Sequence, residues 1–105
     1  MEIIETPIFS KRIKDLLSDT EYSKLQWALV INPEIGEIIP AGEGLRKLRW
    51  IIPGKGKRGG LRIIYYWYKK DEKIYMLFPY KKSEQKDLTN EQMKILIKYV
   101  KGGAL

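Results

Sequence analysis

Leu61-Arg62-Ile63-Ile64-Tyr65-Tyr66-Trp67-Tyr68 is the stretch on which the fold turns. Its density of β-branched and aromatic side chains suits a pleated strand. Lys69-Lys70-Asp71-Glu72 supplies a charged turn, and Lys73 to Phe78 reads as the returning strand of a hairpin. Pro79 cannot donate to a ladder, so it marks the end of that strand or an edge. Upstream, Gly44 to Ile52 alternates. Leu48, Trp50 and Ile52 share one face, while Lys47 and Arg49 share the other. Pro53 to Gly60 joins the two strands as a loop.

Working outward, two helices precede the strands. Thr6 is suited to cap the first and Pro7 to open it, and Phe9, Ile13, Leu16 and Leu17 form one apolar stripe. Ser18-Asp19-Thr20-Glu21 reads as a capping box for the second. Tyr22, Leu25, Ala28 and Leu29 point inward from that helix, which stops at Asn32-Pro33 because the residue before proline avoids helical geometry. The pair is predicted to form an antiparallel hairpin. Glu34 to Glu43, with Gly36, Pro40 and Gly42, reads as a turn-rich connection. After the strands, Thr89 and Gln92 form another capping box, Leu88 and Met93 a hydrophobic staple, and Met93, Leu96, Ile97 and Val100 the stripe of a last helix closed by Gly102. With Ile3-Ile4 as an opening strand, the order is β-α-α-β-β-β-α, an α+β arrangement. A chain of 105 residues is expected to be one domain, since a second would lack the chain for its own core.

Composition narrows the chemistry. There is no Cys and no His. That removes disulfides, thiolate chemistry, the usual zinc ligands, a Ser-His-Asp triad and RNA cleavage by paired imidazoles. Proton transfer then falls to Lys, Tyr, Glu, Asp or the substrate itself. The acidic start, Met1-Glu2-Ile3-Ile4-Glu5, does not resemble a secretory signal, and the longest uncharged apolar run, Ile63 to Tyr68, is far short of the roughly 20 residues that span a bilayer. A soluble, cytoplasmic protein is expected.

The net charge of +7 sits in one segment. Leu45 to Lys70 holds nine basic residues and no acid, leaving eleven basic against thirteen acidic residues elsewhere. Phosphate neutralisation supplies most sequence-independent affinity for nucleic acid, so a polyanion is the natural partner; a solvated basic face would carry the same charge. Gly54-Lys55-Gly56-Lys57-Arg58-Gly59 matches a dinucleotide fingerprint literally, but a strand follows where a helix N-terminus is required. No cofactor is expected. A basic loop whose glycines let RNA approach closely fits better. Lys47, Arg49 and Arg62 form the sharper constellation, because neighbouring strands let such groups converge on one phosphate. Attack of a 2′-oxygen on that phosphate builds negative charge that preorganised cations stabilise, and clustered cations also depress a lysine's pKa enough to make it a base. Lys82, in Tyr80-Lys81-Lys82-Ser83-Glu84, leaves the sheet within reach of the same surface. Ordinary solvent-facing strand and turn positions would look the same. Tyr66, Tyr68, Trp27 and Trp50 could stack bases, although strand aromatics are more often core.

Three stretches taken together resemble one family: Gly44 to Arg49, Gly56 to Tyr66, and Tyr80 to Glu84 with Asp87-Leu88-Thr89. Their order and spacing, from about Ile3 to Val100, are similar to the RelE superfamily of type II toxins, and within it the HigB-like branch. The resemblance implies a twisted, mostly antiparallel sheet flanked by a helical hairpin and a C-terminal helix. It also implies a ribosome-dependent mRNA endonuclease that leaves a cyclic phosphate, and an antitoxin carrying a helix-turn-helix domain. By position it gives Arg62 the scissile phosphate, Lys47 and Arg49 the basic pair on the preceding strand, and Lys82 the basic residue after the last strand. Lys57 and Arg58 match the loop that packs on ribosomal RNA, and Arg46, Lys55 and Lys81 join them as RNA or ribosome contacts. Tyr99 is the candidate for a tyrosine that some members carry near the C-terminus, without a clear match, so the general base is not assigned. The same fold serves ParE-like toxins that bind DNA gyrase, and a non-catalytic RNA-binding protein is a third reading.

Overall fold

The structure, a computed structural model, describes residues 1–52 and 60–102. Five strands form one mixed sheet: β1 (Glu2–Glu5), β2 (Glu37–Ile38), β3 (Leu45–Ile51), β4 (Gly60–Tyr68) and β5 (Lys73–Lys81), in the order β1-β5-β4-β3-β2. β1 runs parallel to β5, and every other pairing is antiparallel. The helices are α1 (Pro7–Leu16), α2 (Asp19–Ile31) and α3 (Asn90–Lys101).

The helix starts follow local chemistry. Thr6 accepts from the Phe9 amide at 3.1 Å and donates to the Leu77 carbonyl at 2.8 Å, so the cap of α1 is also pinned to β5. Ser18 accepts from the Glu21 amide at 3.1 Å, but Glu21 turns to Lys24 instead of closing the box. Thr89 and Gln92 complete theirs, each side chain bonding the other's amide at 3.0 Å.

Period-two alternation, interrupted by a β-bulge at Leu77, divides the core. One sheet face carries Leu48, Leu61, Ile63, Tyr65, Ile74 and Met76 against Phe9 and Ile13 of α1 and Leu25 and Leu29 of α2. The other carries Leu45, Ile64, Tyr75, Leu77 and Phe78 beneath Leu96, Met93 and Ile97 of α3. Both sides of β4 and β5 are therefore buried, which is why their sequences read as near-continuous apolar runs.

Two departures from the sequence reading have physical causes. β5 continues through Pro79 to Lys81 instead of ending at Phe78. The Pro79 carbonyl points away from β4 and accepts from Arg12 Nε at 3.0 Å. The missing N–H lies on that same outer side, beyond the end of β1, so no ladder bond is lost. Within the connection from residue 34 to 43, Glu37 and Ile38 pair with Lys47 and Arg46 as an edge strand. Gly36 allows it, since a Cβ there would lie 2.7 Å from the Tyr65 ring.

The Tyr65 hydroxyl ties this edge to the sheet. It donates to the Pro33 carbonyl at 2.7 Å and accepts from the buried Gly36 amide at 2.9 Å. Tyr65→Phe should cost about 1–3 kcal/mol, because both partners are left unpaired. Urea unfolding of the two proteins checks this; equal stability would show that the tether carries no weight.

Candidate active site

Lys47, Arg49 and Arg62 belong to the sheet face on which α3 packs, with Lys47 under the lead-in to that helix and Arg49 exposed. β3 sets Lys47 opposite Ile64, and Arg49 directly opposite Arg62. Like charges facing each other across adjacent strands are destabilising, so this register holds an electrostatic cost in the free protein. Among the described residues no carboxylate lies within ion-pair distance of Arg49, Arg62 or Lys82. Arg62 is half-buried and gives one N–H to the Leu61 carbonyl at 3.2 Å, which fixes its planar fork. The Lys82 amide donates to the Gly60 carbonyl at 3.0 Å, so the ladder runs one residue past β5 and brings Lys82 beside the strand that carries Arg62.

The turn after β5 is held from the helical side. Arg12 Nη2 reaches both oxygens of Glu84 at 2.9 Å, and its guanidinium lies 5.0 Å from the centre of the Phe78 ring. Glu84 in turn accepts from the Lys81 amide at 3.1 Å. The Arg12 hydrogen bond, followed by the Lys81 amide, holds the Glu84 carboxyl below its ordinary value. Arg12 and Glu84 thus fix the backbone from which Lys82 projects.

Two residues outside the basic set belong to this surface. Tyr80 pairs with Arg62 across the ladder, and its buried hydroxyl has no hydrogen-bond partner among the described residues. Burial raises its pKa first and the nearby Asp87 second, while Arg62 and Arg49 pull it down. That hydroxyl therefore feels the acid and both arginines at once. Asp87 forms an ion pair with Lys47 at 3.3 Å. The pair lines a cleft of about 250 Å³ walled by Ile38, Ile39, Pro40, Leu88 and Met93. Alternation from Phe78 places Tyr80 on the basic face; ending the strand at Phe78 leaves it out. Asp87 was hidden because it looks like the lead-in to a helix.

Other candidates lie elsewhere. Arg46 faces the opposite side, paired with Tyr65, and donates to the carbonyls of Gly36 at 2.8 Å and Glu34 at 3.3 Å. The alternation that groups Lys47 with Arg49 already puts Arg46 on the other side. Lys81 is exposed and pairs in register with Leu61, also away from Arg62. Lys55, Lys57 and Arg58 lie outside the described residues. Tyr66 and Tyr68 stack on one another and, with Tyr99 of α3, pack against the core on that face, whereas Trp50 packs against the helical-hairpin core. Trp27, on α2 and outside its inward stripe, is 66% exposed. Among the described residues, no group of three or more acidic side chains gathers to hold a metal ion, and no helix is long and apolar enough to cross a membrane.

A family model described as the RelE toxin of the RelE / RelB toxin-antitoxin system matches residues 1–103. The chain belongs to the RelE toxin family. Its α+β fold, three helices on a five-stranded mixed sheet, is the one that family predicts. A RelE-family toxin has a cognate antitoxin of the RelB type, and toxins of this family are generally endoribonucleases.

The opposed arginines generate a stability prediction. Arg49 is exposed, and threonine suits a strand, so Arg49→Thr should unfold no earlier than the parent and gain up to about 1 kcal/mol. The gain should shrink as salt screens the repulsion. Thermal unfolding at low and high ionic strength checks it. Destabilisation by the substitution would mean that the two guanidinium groups do not burden the free protein.

Proposed function

We propose that this RelE-family toxin cleaves mRNA on the ribosome, in the manner of the HigB-like branch. The observation that carries the reading is the Arg49–Arg62 pair, opposed across one ladder rung with no carboxylate in ion-pair range among the described residues. A phosphate between two such guanidinium groups relieves their repulsion, and the extra charge of a pentacoordinate transition state relieves it further. That difference between ground state and transition state is what accelerates a reaction.

The substrate supplies its own nucleophile. The 2′-oxygen attacks the adjacent phosphorus, the bond to the 5′-oxygen breaks, and a cyclic phosphate remains. Arg62 binds a non-bridging oxygen through its fork, Arg49 and Lys47 share the developing charge, and Lys82 meets the phosphate from the end of β5. Arg46, engaged with backbone carbonyls on the far face, has no part in this step. Lys55, Lys57 and Arg58 serve ribosomal RNA, with Lys81 at the margin. The chain acts as one domain in the cytoplasm, silenced by an antitoxin that carries a helix-turn-helix domain. A ParE-like gyrase inhibitor would have no use for the opposed arginines on this face.

Purified protein should leave naked mRNA nearly intact and cut the same mRNA rapidly in a translating extract. Efficient cutting of naked RNA would overturn ribosome dependence, and intact mRNA in both would overturn the nuclease. Arg62→Ala should keep its fold and ribosome binding yet lose about 10²-fold or more in single-turnover cleavage. Arg62→Lys should recover only part, since an ammonium lacks the planar fork.

The loop cations make a separate prediction. Changing Lys57 and Arg58 together to Ala should weaken ribosome association and flatten its salt dependence, since each lost phosphate contact lowers the slope. Unchanged binding with a collapsed maximal rate would move these residues from docking to chemistry.

A further inference from the structure

A nuclease without histidine still has to remove a proton from the attacking 2′-hydroxyl, and the cations of the basic face cannot all do it. Arg49 and Arg62 carry guanidinium groups, which donate hydrogen bonds and accept none. Lys47, the lysine best placed by the sheet, has its ammonium engaged as a donor to Asp87 at 3.3 Å. A donor already committed to a carboxylate is not a base. The partner in that contact, Asp87, is a proton acceptor set against the basic face.

Asp87 is presented and held for such a task. Its side chain is 66% exposed, whereas that of Lys47 beneath it is 19% exposed, so the carboxylate is the reachable half of the pair. Its backbone carbonyl is held. Gln85 Nε2 donates to the Asp87 carbonyl at 2.9 Å and to Gln92 Oε1 at 2.8 Å. Gln92 Oε1 also accepts from the Thr89 amide, within the box that starts α3. The carboxylate therefore hangs from a braced segment, not from a loose turn. It stands on the wall of the 250 Å³ cleft, which Lys47 and the exposed Glu37 also line. Its field reaches the Tyr80 hydroxyl together with those of Arg62 and Arg49.

We propose that Asp87 is the general base of the cleavage reaction, uncovered when the substrate phosphate draws the Lys47 ammonium away from it. The inference rests on the nuclease reading above. In the free protein the Lys47–Asp87 contact neutralises both groups. When a phosphate enters between Arg49 and Arg62, Lys47 turns to it, and the carboxylate is left beside the neighbouring ribose. The 2′-hydroxyl proton passes to an Asp87 oxygen as the O2′–P bond forms. The P–O5′ bond breaks, and the departing 5′-oxygen takes a proton from water. Asp87 then loses its proton to solvent and re-forms its pair with Lys47.

The test uses programmed ribosomes carrying either ordinary mRNA or mRNA with a single bridging 5′-sulfur at the cleavage site. Sulfur leaves without needing a proton, so this substrate reports only on steps other than leaving-group protonation. Asp87→Asn should slow single-turnover cleavage by about 10²–10⁴-fold, the range for loss of a general base, and by the same factor on both substrates. Asp87→Glu should restore part of the rate, since it keeps the carboxylate. Circular dichroism and ribosome binding should match the parent for both variants. Asp87→Asn cutting at the parent rate overturns the proposal. So does a defect that disappears on the sulfur substrate, which would assign Asp87 to the leaving group. If the parent itself fails to cut either mRNA, the nuclease reading falls, and this proposal with it.

Discussion

The β3–β4 register is the constraint on which the rest of the molecule depends. Leu48 must meet Ile63, and Trp50 must meet Leu61, to close the core beneath α1 and α2. Once those pairs are set, period-two geometry leaves no choice about the other face: Arg49 stands opposite Arg62, with Lys47 one step along. A slip of one residue would turn the cations into the core and the leucine into solvent. The apolar burial that stabilises the sheet is thus the force that holds two guanidinium groups against their own repulsion. Packing of this kind is far stronger than the repulsion it opposes, since each buried aliphatic side chain contributes about 1.5–3 kcal/mol.

Much of the remaining architecture serves to leave that rung open. α3 covers the portion of the face around Leu45, Ile64 and Phe78, and its capping box begins the helix short of the arginines. The segment between β5 and α3 then carries Lys82 past Gly60 and Asp87 over Lys47. Arg12 reaches from α1 to Glu84 and braces the first of these turns, and Gln85 braces the second. The helical hairpin on one side and the last helix on the other therefore both contribute to a surface that neither of them forms.

Local signals made most of this legible in the sequence, and long-range ones did not. Thr6, Ser18 and Thr89 announce the helix starts because a cap acts within one turn, and the alternation in β3 separates Lys47 and Arg49 from Leu48 and Trp50 within a few residues. Pairing partners are another matter. The two-residue edge strand at Glu37 exists only because β3 offers it a ladder, and Pro79 is tolerated because its outer side lies beyond the end of β1. No window of sequence contains either neighbour. The same limit hid Asp87, whose significance comes from a lysine forty residues away, and the buried Tyr80 hydroxyl. Arg46 is the converse case: its charge suggested RNA, while its position in the alternation already pointed to the opposite face.

A double-mutant cycle at Arg49 and Arg62 is the decisive measurement, because it reports the pair and not either residue. Arg49→Ala, Arg62→Ala and the double variant would each be measured twice, by urea unfolding of the free protein and by single-turnover cleavage on programmed ribosomes. Coupling is expected in both, with opposite sense. In unfolding, each arginine should destabilise the protein more when the other is present, by about 0.2–1 kcal/mol. In cleavage, the double variant should lose less than the product of the two single losses, because both act on one phosphate. Independent effects in the two measurements would contradict the claim that this rung of the ladder is a single phosphate site.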